Sequence, residues 1–499
     1  MTNEMILTYQ TRLLLDEKQE AILQKCACLL SEVERSLYAE IAKGKTSASC
    51  KSTFLRKYGI TARQFNACRV SLEGKIAANK ANQENGIDSL KQQIVSLDKK
   101  IQYLEKKPSR NNVLHQKKRR RAKLSQRLAS FEKDRNEGRV SLCFGGKKLF
   151  RAQFHLKENG LSSHEEWRDN WQAKRSSEFF ILGSKDETAG NQTCTATLKD
   201  GRLSLRLRLP VALEAENGKY LIIDNVVFAY GQKALLASLN NPEGQAISYR
   251  LKKDEKGWRI FASTALTKKD PISQEGRGVI GIDLNADHIA YIETDRFGNP
   301  IDSKRLSWNS HGKSNNQLRA ITGDVCKTVI TRAKETKKPV IIEKLDFQKK
   351  KLSLKEKSCS KMSRLLSSFA YGLFIVSLKT RAYKDGVTVH QVNPAFTSII
   401  GRVNYAKRYG LSIHLAAALC IARRYQKFSE APCSPKGIIP DGKGGHVAFI
   451  LPARNRIKHV WHFWGQVKKK IATVLAAHFR AIRNRSLSPP SPALVIGIS

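Results

Sequence analysis

The spacing of hydrophobic residues changes along the chain and separates helical from strand-like parts. From Leu14 to Ala42, and again from Ser89 to Leu104, apolar residues recur at helical intervals. After a break at Pro108 a second helical pattern returns, which predicts a helical hairpin. We therefore expect residues 11–137 to form a helical lobe.

From Gly138 the pattern becomes alternating and rich in turns, beginning with VSLCFGG. A turn at Asp200-Gly201 and another at Glu255-Lys256-Gly257 indicate hairpins between short strands. Together with a short strand near the N-terminus, these segments resemble a small β-barrel. The predicted barrel comprises residues 1–10 and 138–275.

Two short apolar runs in the last part of the chain each end in a carboxylate. The run in GVIGIDLNADHIA ends at Asp283, and the run in PVIIEKLDF ends at Glu343. Both read as buried strands, and two parallel strands would bring the carboxylates to one edge of a sheet, where α/β proteins usually bind ligands. Carboxylate oxygens are hard ligands that suit Mg²⁺. The alternative is that Asp283 only caps a turn.

A third element, Leu411 to Arg424, has a strongly helical pattern, LSIHLAAALCIARR. Ser412 is a suitable N-cap, and His414 shares a helix face with apolar neighbours. The alanine run 416–418 would let this helix lie close to the sheet.

Charge points to a polyanionic partner. The 89 Lys and Arg residues against 44 Asp and Glu residues give a formal net charge of +45, which indicates nucleic acid rather than a membrane surface. No apolar run approaches a membrane span and the N-terminus lacks a signal-peptide pattern, so we expect no membrane partner and a cytoplasmic location. For each basic cluster the alternative is a solvated face. The candidate nucleic-acid-binding residues are Lys117, Lys118, Arg119, Arg120, Arg121, Arg206, Arg208, Arg402, Lys407 and Arg408.

Ten cysteines are scattered along the chain without a CxxC pair. This spacing argues against a disulfide framework and against a tetrahedral zinc site. We therefore predict no structural zinc.

The segments IGIDLNADHIA, VIIEKLDF and VNPAFTSIIG…GLSIHLAAALCIARR resemble the three split motifs of the RuvC-type, RNase H-like nuclease domain. The sequences of these motifs are similar to those of the transposon-encoded TnpB proteins and the related type V CRISPR effectors. The resemblance implies a multidomain α+β chain, in which a helical recognition lobe and an oligonucleotide-binding-like β-barrel wedge domain precede an α/β RNase H-like nuclease domain. The nuclease domain would span 276–435, with motifs at 278–290, 339–347 and 393–425, followed by a basic C-terminal helix and loose tail at 436–499.

The resemblance also implies RNA-guided cleavage of DNA by two-metal hydrolysis. Asp283 and Glu343 fall on the first two catalytic carboxylates and would bind two Mg²⁺ ions, with Mn²⁺ as an alternative. The implied partners are a guide RNA, a target DNA with a short flanking recognition motif, and transposon or CRISPR machinery. The implied location is the nucleoid of a bacterial or archaeal cell.

Two departures from the family pattern affect this interpretation. The third motif normally supplies an Asp where this chain has His414, which is either a neutral imidazole ligand or a core residue. The family's CxxC pairs between motifs two and three are also missing. Two other functions therefore stay open, a nuclease-weak guided DNA-binding protein that represses transcription or assists transposition, and a guide-free resolvase.

Overall fold

The computed structural model describes residues 4–106, 111–241, 243–266, 269–285, 287–308, 312–344, 368–442 and 444–485. The fold is mixed α/β and divides into two compact units, Met1–Thr267 and Lys268–Ser499. No helix in the described ranges is long and apolar enough to cross a membrane.

The first unit begins with a short strand and a helical region. A capping box at Asp16 and Gln19 starts the first helix, and another at Thr61 and Gln64 starts the third. The third and fourth helices pack along each other, so the predicted helical hairpin is present. The helices are α1 (Glu17–Ala42), α2 (Ser47–Tyr58), α3 (Ala62–Glu105) and α4 (Asn111–Asn136).

The strands of the first unit form two antiparallel sheets, ordered β1-β7-β6-β2 and β3-β4-β5. Both predicted hairpins are present, and positive φ angles of 48° at Asp200 and 76° at Gly201 fit a type I′ turn. Because the described ladders form two sheets, the single barrel stays a prediction. The strands are β1 (Ile6–Arg12), β2 (Glu178–Ile181), β3 (Cys194–Lys199), β4 (Arg202–Arg208), β5 (Tyr220–Val226), β6 (Ile247–Asp254) and β7 (Gly257–Ala265).

The segment VSLCFGG does not form the predicted strand. The Tyr38 hydroxyl donates to the Val140 carbonyl and accepts from the Leu142 N–H at 3.2 Å, so α1 satisfies backbone groups that a neighbouring strand would otherwise pair. Four helices that the sequence pattern did not predict lie between the strands of this unit. They are α5 (Lys147–Ala152) and α6 (His164–Arg175), and later α7 (Val211–Asn217) and α8 (Gln232–Leu239).

The second unit is built on a five-stranded mixed sheet with the order β10-β9-β8-β11-β12. The first three of these form an antiparallel meander, and β8, β11 and β12 are parallel. Helix α9 (Asn315–Thr336) lies between the two carboxylate strands in the chain, and α10 (Ser368–Asp385) precedes β12. The strands are β8 (Ile280–Leu284), β9 (His288–Thr294), β10 (Pro300–Ser307), β11 (Val340–Glu343) and β12 (Val389–Val392).

Helices cover both faces of this sheet. Ile280 and Ile282 share a core with α9 and α10, whereas Val279 and Ile341 share the opposite core with α11 (Thr397–Asn404) and α12 (Ile413–Tyr425). Alternate residues of one strand thus enter different cores, which explains why the strands read as continuous apolar runs.

Gly281 lets α12 approach β8 closely. A Cβ atom at this position would lie 2.3 Å from the Ala418 carbonyl oxygen and 2.9 Å from the Ala422 Cβ. The alanines at 416–418 are buried, so the close packing predicted from the alanine run is confirmed.

The chain after α12 contains a hairpin that the sequence pattern did not predict. Strands β13 (Lys436–Pro440) and β14 (His446–Ile450) pair antiparallel, and the Asp441 carboxylate closes their turn by accepting from Gly445 N–H at 2.9 Å. The basic amphipathic helix follows as α13 (Val460–Arg485), whose Phe463 and Trp464 are buried in the core. The predicted loose tail from residue 486 lies outside the described residues.

Candidate active site

Asp283 and Glu343 stand at the carboxyl ends of neighbouring parallel strands. The β8–β11 ladder pairs Ile282 with Ile342, and the two carboxylates are the next residues along each strand. The parallel arrangement predicted from the two apolar runs is therefore confirmed.

Asp283 is buried, with 7% of its surface exposed, and two polar groups from the chain meet its carboxylate. Asn285 Nδ2 donates to Oδ2 at 3.0 Å, and His414 Nδ1 lies 3.3 Å from the same oxygen. These contacts offset part of the cost of burying a carboxylate.

Helix α12 places His414 in its first turn, after Ser412 caps the helix by accepting from the Leu415 N–H at 3.3 Å. The His414 side chain is 48% exposed and the Asp283 side chain 10%. His414 is therefore not a core residue, and its imidazole lies at the boundary between the buried carboxylate and solvent.

Glu343 is oriented by a residue that sequence reasoning did not single out. Thr397, 2% exposed at the start of α11, donates its hydroxyl to Glu343 Oε1 at 2.5 Å. The Pro394 carbonyl, at 3.2 Å, is the competing acceptor, and an ionised carboxylate is the stronger of the two. The only sequence signal for Thr397 is its place within the third motif.

If the site cleaves nucleic acid, as the motif resemblance implies, Thr397→Val should lower the cleavage rate about tenfold, because Glu343 loses the hydroxyl that Thr397 donates to it. The free energy of unfolding should fall by only about 1 kcal/mol. Single-turnover cleavage and urea unfolding measure the two effects. The control is Thr328→Val on α9, whose hydroxyl donates to the Asp324 carbonyl of the same helix at 3.1 Å. Equal rates for the two variants would contradict the orienting role.

A second histidine packs beside the first. The rings of His288 and His414 lie 4.9 Å apart and nearly perpendicular, at 78°. His288 Nδ1 is 2.8 Å from Asp287 Oδ1, and this hydrogen bond lowers the pKa of Asp287, which Arg305 also contacts at 2.9 Å. His288 is thus fixed from the other side of its ring.

Tyr371 of α10 is a further buried group, and the charges of this site affect its pKa. Burial, with a smaller contribution from the charges of Asp283 and Asp287, raises the pKa of Tyr371 to about 12. Its phenol therefore stays neutral at physiological pH.

The predicted ligands do not converge as a finished metal site. Within the ranges that the structure describes, no group of three or more His, Cys, Asp or Glu side chains is arranged to hold a metal ion. Asp283 and His414 form a contacting pair, and Glu343 stands on the next strand with Thr397 as its partner. The described cysteines are free thiols.

The basic cluster of the helical hairpin lies on α4, none of whose residues is buried. Two of its five cations also hold α4 to α3, because Lys118 pairs with Glu105 at 2.8 Å and Arg121 with Asp98 at 3.1 Å. The cluster comprises Lys117, Lys118, Arg119, Arg120 and Arg121.

The two candidate arginines of β4 differ in their surroundings. Arg206 is exposed, and its guanidinium lies 4.9 Å from the ring centre of Tyr220. Arg208 is partly buried, 3.8 Å from Glu214. Arg206 is therefore the more accessible of the two to a ligand.

The candidate nucleic-acid-binding residues near the third motif also differ in exposure. Arg402 is partly buried and donates to the Pro440 carbonyl, and burial lowers its pKa. Lys407 and Arg408 are exposed. Arg402 ties α11 to β13, and the other two are the residues available at the surface.

No family model and no curated protein matches this chain. Solved structures similar to it include Thermus thermophilus RuvC in complex with a Holliday junction substrate, at 15% identity, a TM-score of 0.21, and coverage of 29% of this chain and 89% of that one. A second Thermus thermophilus RuvC structure has 17% identity, a TM-score of 0.21 and coverage of 29% and 90%. A CRISPR-Cas12f ternary complex has 12% identity, a TM-score of 0.21 and coverage of 83% and 98%. At these TM-scores the similarities decide neither the fold nor the function.

Proposed function

We propose that this protein is an RNA-guided DNA endonuclease that hydrolyses phosphodiester bonds with divalent metal ions. The observation that carries the proposal is the pair of carboxylates, Asp283 and Glu343, one residue beyond the last pair of a parallel ladder. Their sequence contexts are the first two motifs of the RuvC-like resemblance. The third motif contributes His414, which contacts Asp283, and Thr397, which bonds Glu343.

The donor set suits a hard divalent cation, except that one of the three donors is an imidazole instead of a carboxylate. Asp283 and Glu343 would hold Mg²⁺ through carboxylate oxygens, whereas the His414 imidazole is a ligand that suits Mn²⁺ better than Mg²⁺. When bound, two such ions would activate the attacking water and stabilise the leaving oxygen. The chain's own contribution is orientation, since Asn285 and Thr397 fix the carboxylates on which the ions depend.

The charge of the chain supports nucleic acids as partners. A net charge of +45 is spread over surfaces that include the α4 cluster, Arg206, Lys407 and Arg408. Such cations would contact the backbones of a guide RNA and its heteroduplex, while base pairing selects the target DNA next to a short flanking motif.

A nuclease-weak guided DNA-binding protein is the second candidate, and His414 is the observation that favours it. An imidazole takes the position where the family pattern places a carboxylate, and it contacts Asp283 directly. A cation at Asp283 would therefore meet one negative charge fewer than in the family pattern.

His414 distinguishes the two candidates experimentally. If it acts as a ligand, His414→Ala should lower metal-dependent cleavage about tenfold to a hundredfold, because loss of a ligand weakens the metal site. His414→Asp should retain cleavage and shift the metal preference from Mn²⁺ towards Mg²⁺. Cleavage rates in each metal measure both effects, with His462→Ala, an exposed histidine of α13, as the control. Cleavage by His414→Asp but not by the wild-type protein would support the second candidate.

The guided part of the proposal is tested by purifying the protein from cells that carry its native locus and sequencing the RNA that accompanies it. We expect one defined RNA species whose variable segment directs binding to matching DNA. Binding that survives ribonuclease treatment of the complex would contradict guidance and favour a guide-free protein.

A further inference from the structure

The short helix α5 and the turn that follows it carry two exposed aromatic residues among basic ones. Lys147, Phe150, Arg151 and Phe154 follow one another at the spacing i, i+3, i+4 and i+7, and the helical turn continues through a Phe154 N–H to Arg151 carbonyl bond of 3.1 Å. Phe150 is 43% exposed and Phe154 is 70% exposed. Two exposed aromatic residues one helical turn apart and flanked by cations are the arrangement expected of an interaction surface.

Phe150 is held in place by α6. The Phe150 ring lies 5.4 Å from Trp171, which stacks on Trp167 at 6.0 Å with an interplanar angle of 16°. Trp167 Nε1 donates to the Leu149 carbonyl at 2.8 Å and so fixes α6 to α5. A ring held in this way loses little conformational entropy when a ligand stacks on it.

The same segment carries uncompensated positive charge. Residues 147–157 contain four cations and no acidic residue, and the next carboxylate is Glu158. Over the part of the chain that the structure describes, no ion pair is formed by Lys147, Lys148 or Arg151. These side chains are therefore available to phosphate groups.

A groove of about 850 Å³ runs beside α5 and α6. Its wall contains neutral hydrogen-bonding side chains, among them Asn159, Asn170 and Ser177, and the cations Lys148, Lys174 and Lys253. Asp254 and Glu255 also line the groove, and Arg12 at 3.0 Å and Arg259 at 2.8 Å compensate the charge of Asp254. The groove therefore offers hydrogen-bonding side chains that suit ribose hydroxyls and base edges, beside lysines that suit phosphates.

We propose that the α5–α6 surface binds an unpaired stretch of RNA. Phe150 and Phe154 stack on exposed bases, and Lys147, Lys148 and Arg151 contact phosphates. The amide and hydroxyl side chains of the groove form hydrogen bonds with 2′-hydroxyl groups, which DNA lacks. The choice of RNA rests on the proposed function.

The test uses full-length protein freed of copurifying nucleic acid and a fluorescein-labelled 15-nucleotide oligouridylate, with binding followed by anisotropy. Phe150→Ala combined with Phe154→Ala should weaken binding about tenfold or more, because two stacking contacts are lost. Tyr230→Ala removes an aromatic residue that is 86% exposed elsewhere in the same unit and should change binding less than about twofold. Unchanged binding by the double variant would overturn the proposal.

Charge reversal supplies an independent variant. Lys147→Glu combined with Lys148→Glu should lower both the affinity for oligouridylate and the steepness of its salt dependence, because phosphate contacts release counterions. A weaker affinity with an unchanged salt dependence would overturn the phosphate role. Circular dichroism spectra matching the wild type establish that each variant is folded.

The matching oligothymidylate distinguishes RNA from DNA. We expect it to bind at least about fivefold more weakly than oligouridylate, because the groove contacts to the 2′-hydroxyl groups are missing. Equal affinities would overturn the assignment to RNA.

None of these measurements involves cleavage, so RNA binding through this surface by a protein that never cuts DNA would refute the proposed function alone. Guided cutting with unchanged RNA binding by the double aromatic variant would refute the inference alone.

Discussion

Asp283→Asn is expected to lower metal-dependent cleavage of guide-matched DNA roughly a thousandfold while the complex still binds that DNA. The amide keeps the shape of the side chain, and its oxygen can still accept the Asn285 hydrogen bond that Asp283 Oδ2 accepts at 3.0 Å. What it removes is the negative charge that attracts a divalent cation at the end of β8. Cleavage and binding are measured on the same preparation, the first by product formation and the second by mobility shift.

The control for this substitution is Asp302→Asn on β10. Asp302 pairs with Lys304 at 3.0 Å on the surface of the same unit, so its charge is removed without affecting the candidate site. We expect its cleavage rate to stay within about twofold of the wild type, since exposed ion pairs contribute little. Loss of DNA binding by Asp283→Asn, with Asp302→Asn unaffected, would show that Asp283 is structural rather than catalytic.

Gly281→Ala should strongly destabilise the second unit. Its new Cβ would lie 2.3 Å from the Ala418 carbonyl oxygen, a backbone atom that cannot move unless α12 moves. We expect a loss of about 3 kcal/mol in the free energy of unfolding, together with reduced cleavage, because α12 also carries His414. Hydrogen exchange in β8 and α12, together with thermal melting, measures the local and the global effect.

Gly323→Ala is the matched control for Gly281→Ala. Gly323 lies within α9, and a Cβ there would meet no atom within 4 Å. Because alanine is the better helix former, this variant should be more stable than the wild type by about 0.5–1 kcal/mol. Similar destabilisation by both substitutions would contradict the close packing of α12 on β8.

The sequence predicted the central part of the second unit because local and tertiary requirements coincide there. Strands β8 and β11 are covered on both faces, so the sequence of each is an uninterrupted apolar run. Gly281 has no side chain where the alanine-rich face of α12 packs against β8. Asp283 and Glu343 could then be found as the polar residues that end those runs. Their common edge followed from the general arrangement of parallel strands.

The remaining features depend on contacts between residues far apart in the chain. Thr397 reaches Glu343 across 54 positions, and no local pattern distinguishes this threonine from others. The segment VSLCFGG alternates like a strand, but Tyr38 binds its backbone from α1. In these places tertiary contacts, rather than propensity, decide the structure.

The central claim is that Asp283 and Glu343 support metal-dependent cutting of DNA chosen by a bound RNA. The most direct measurement incubates the purified wild-type complex with DNA that matches its RNA, in Mg²⁺ and in excess chelator, and maps any product ends. We predict discrete cuts that require both the match and the metal. Bound but intact DNA in both Mg²⁺ and Mn²⁺ would contradict the claim and identify the protein as a guided DNA-binding protein.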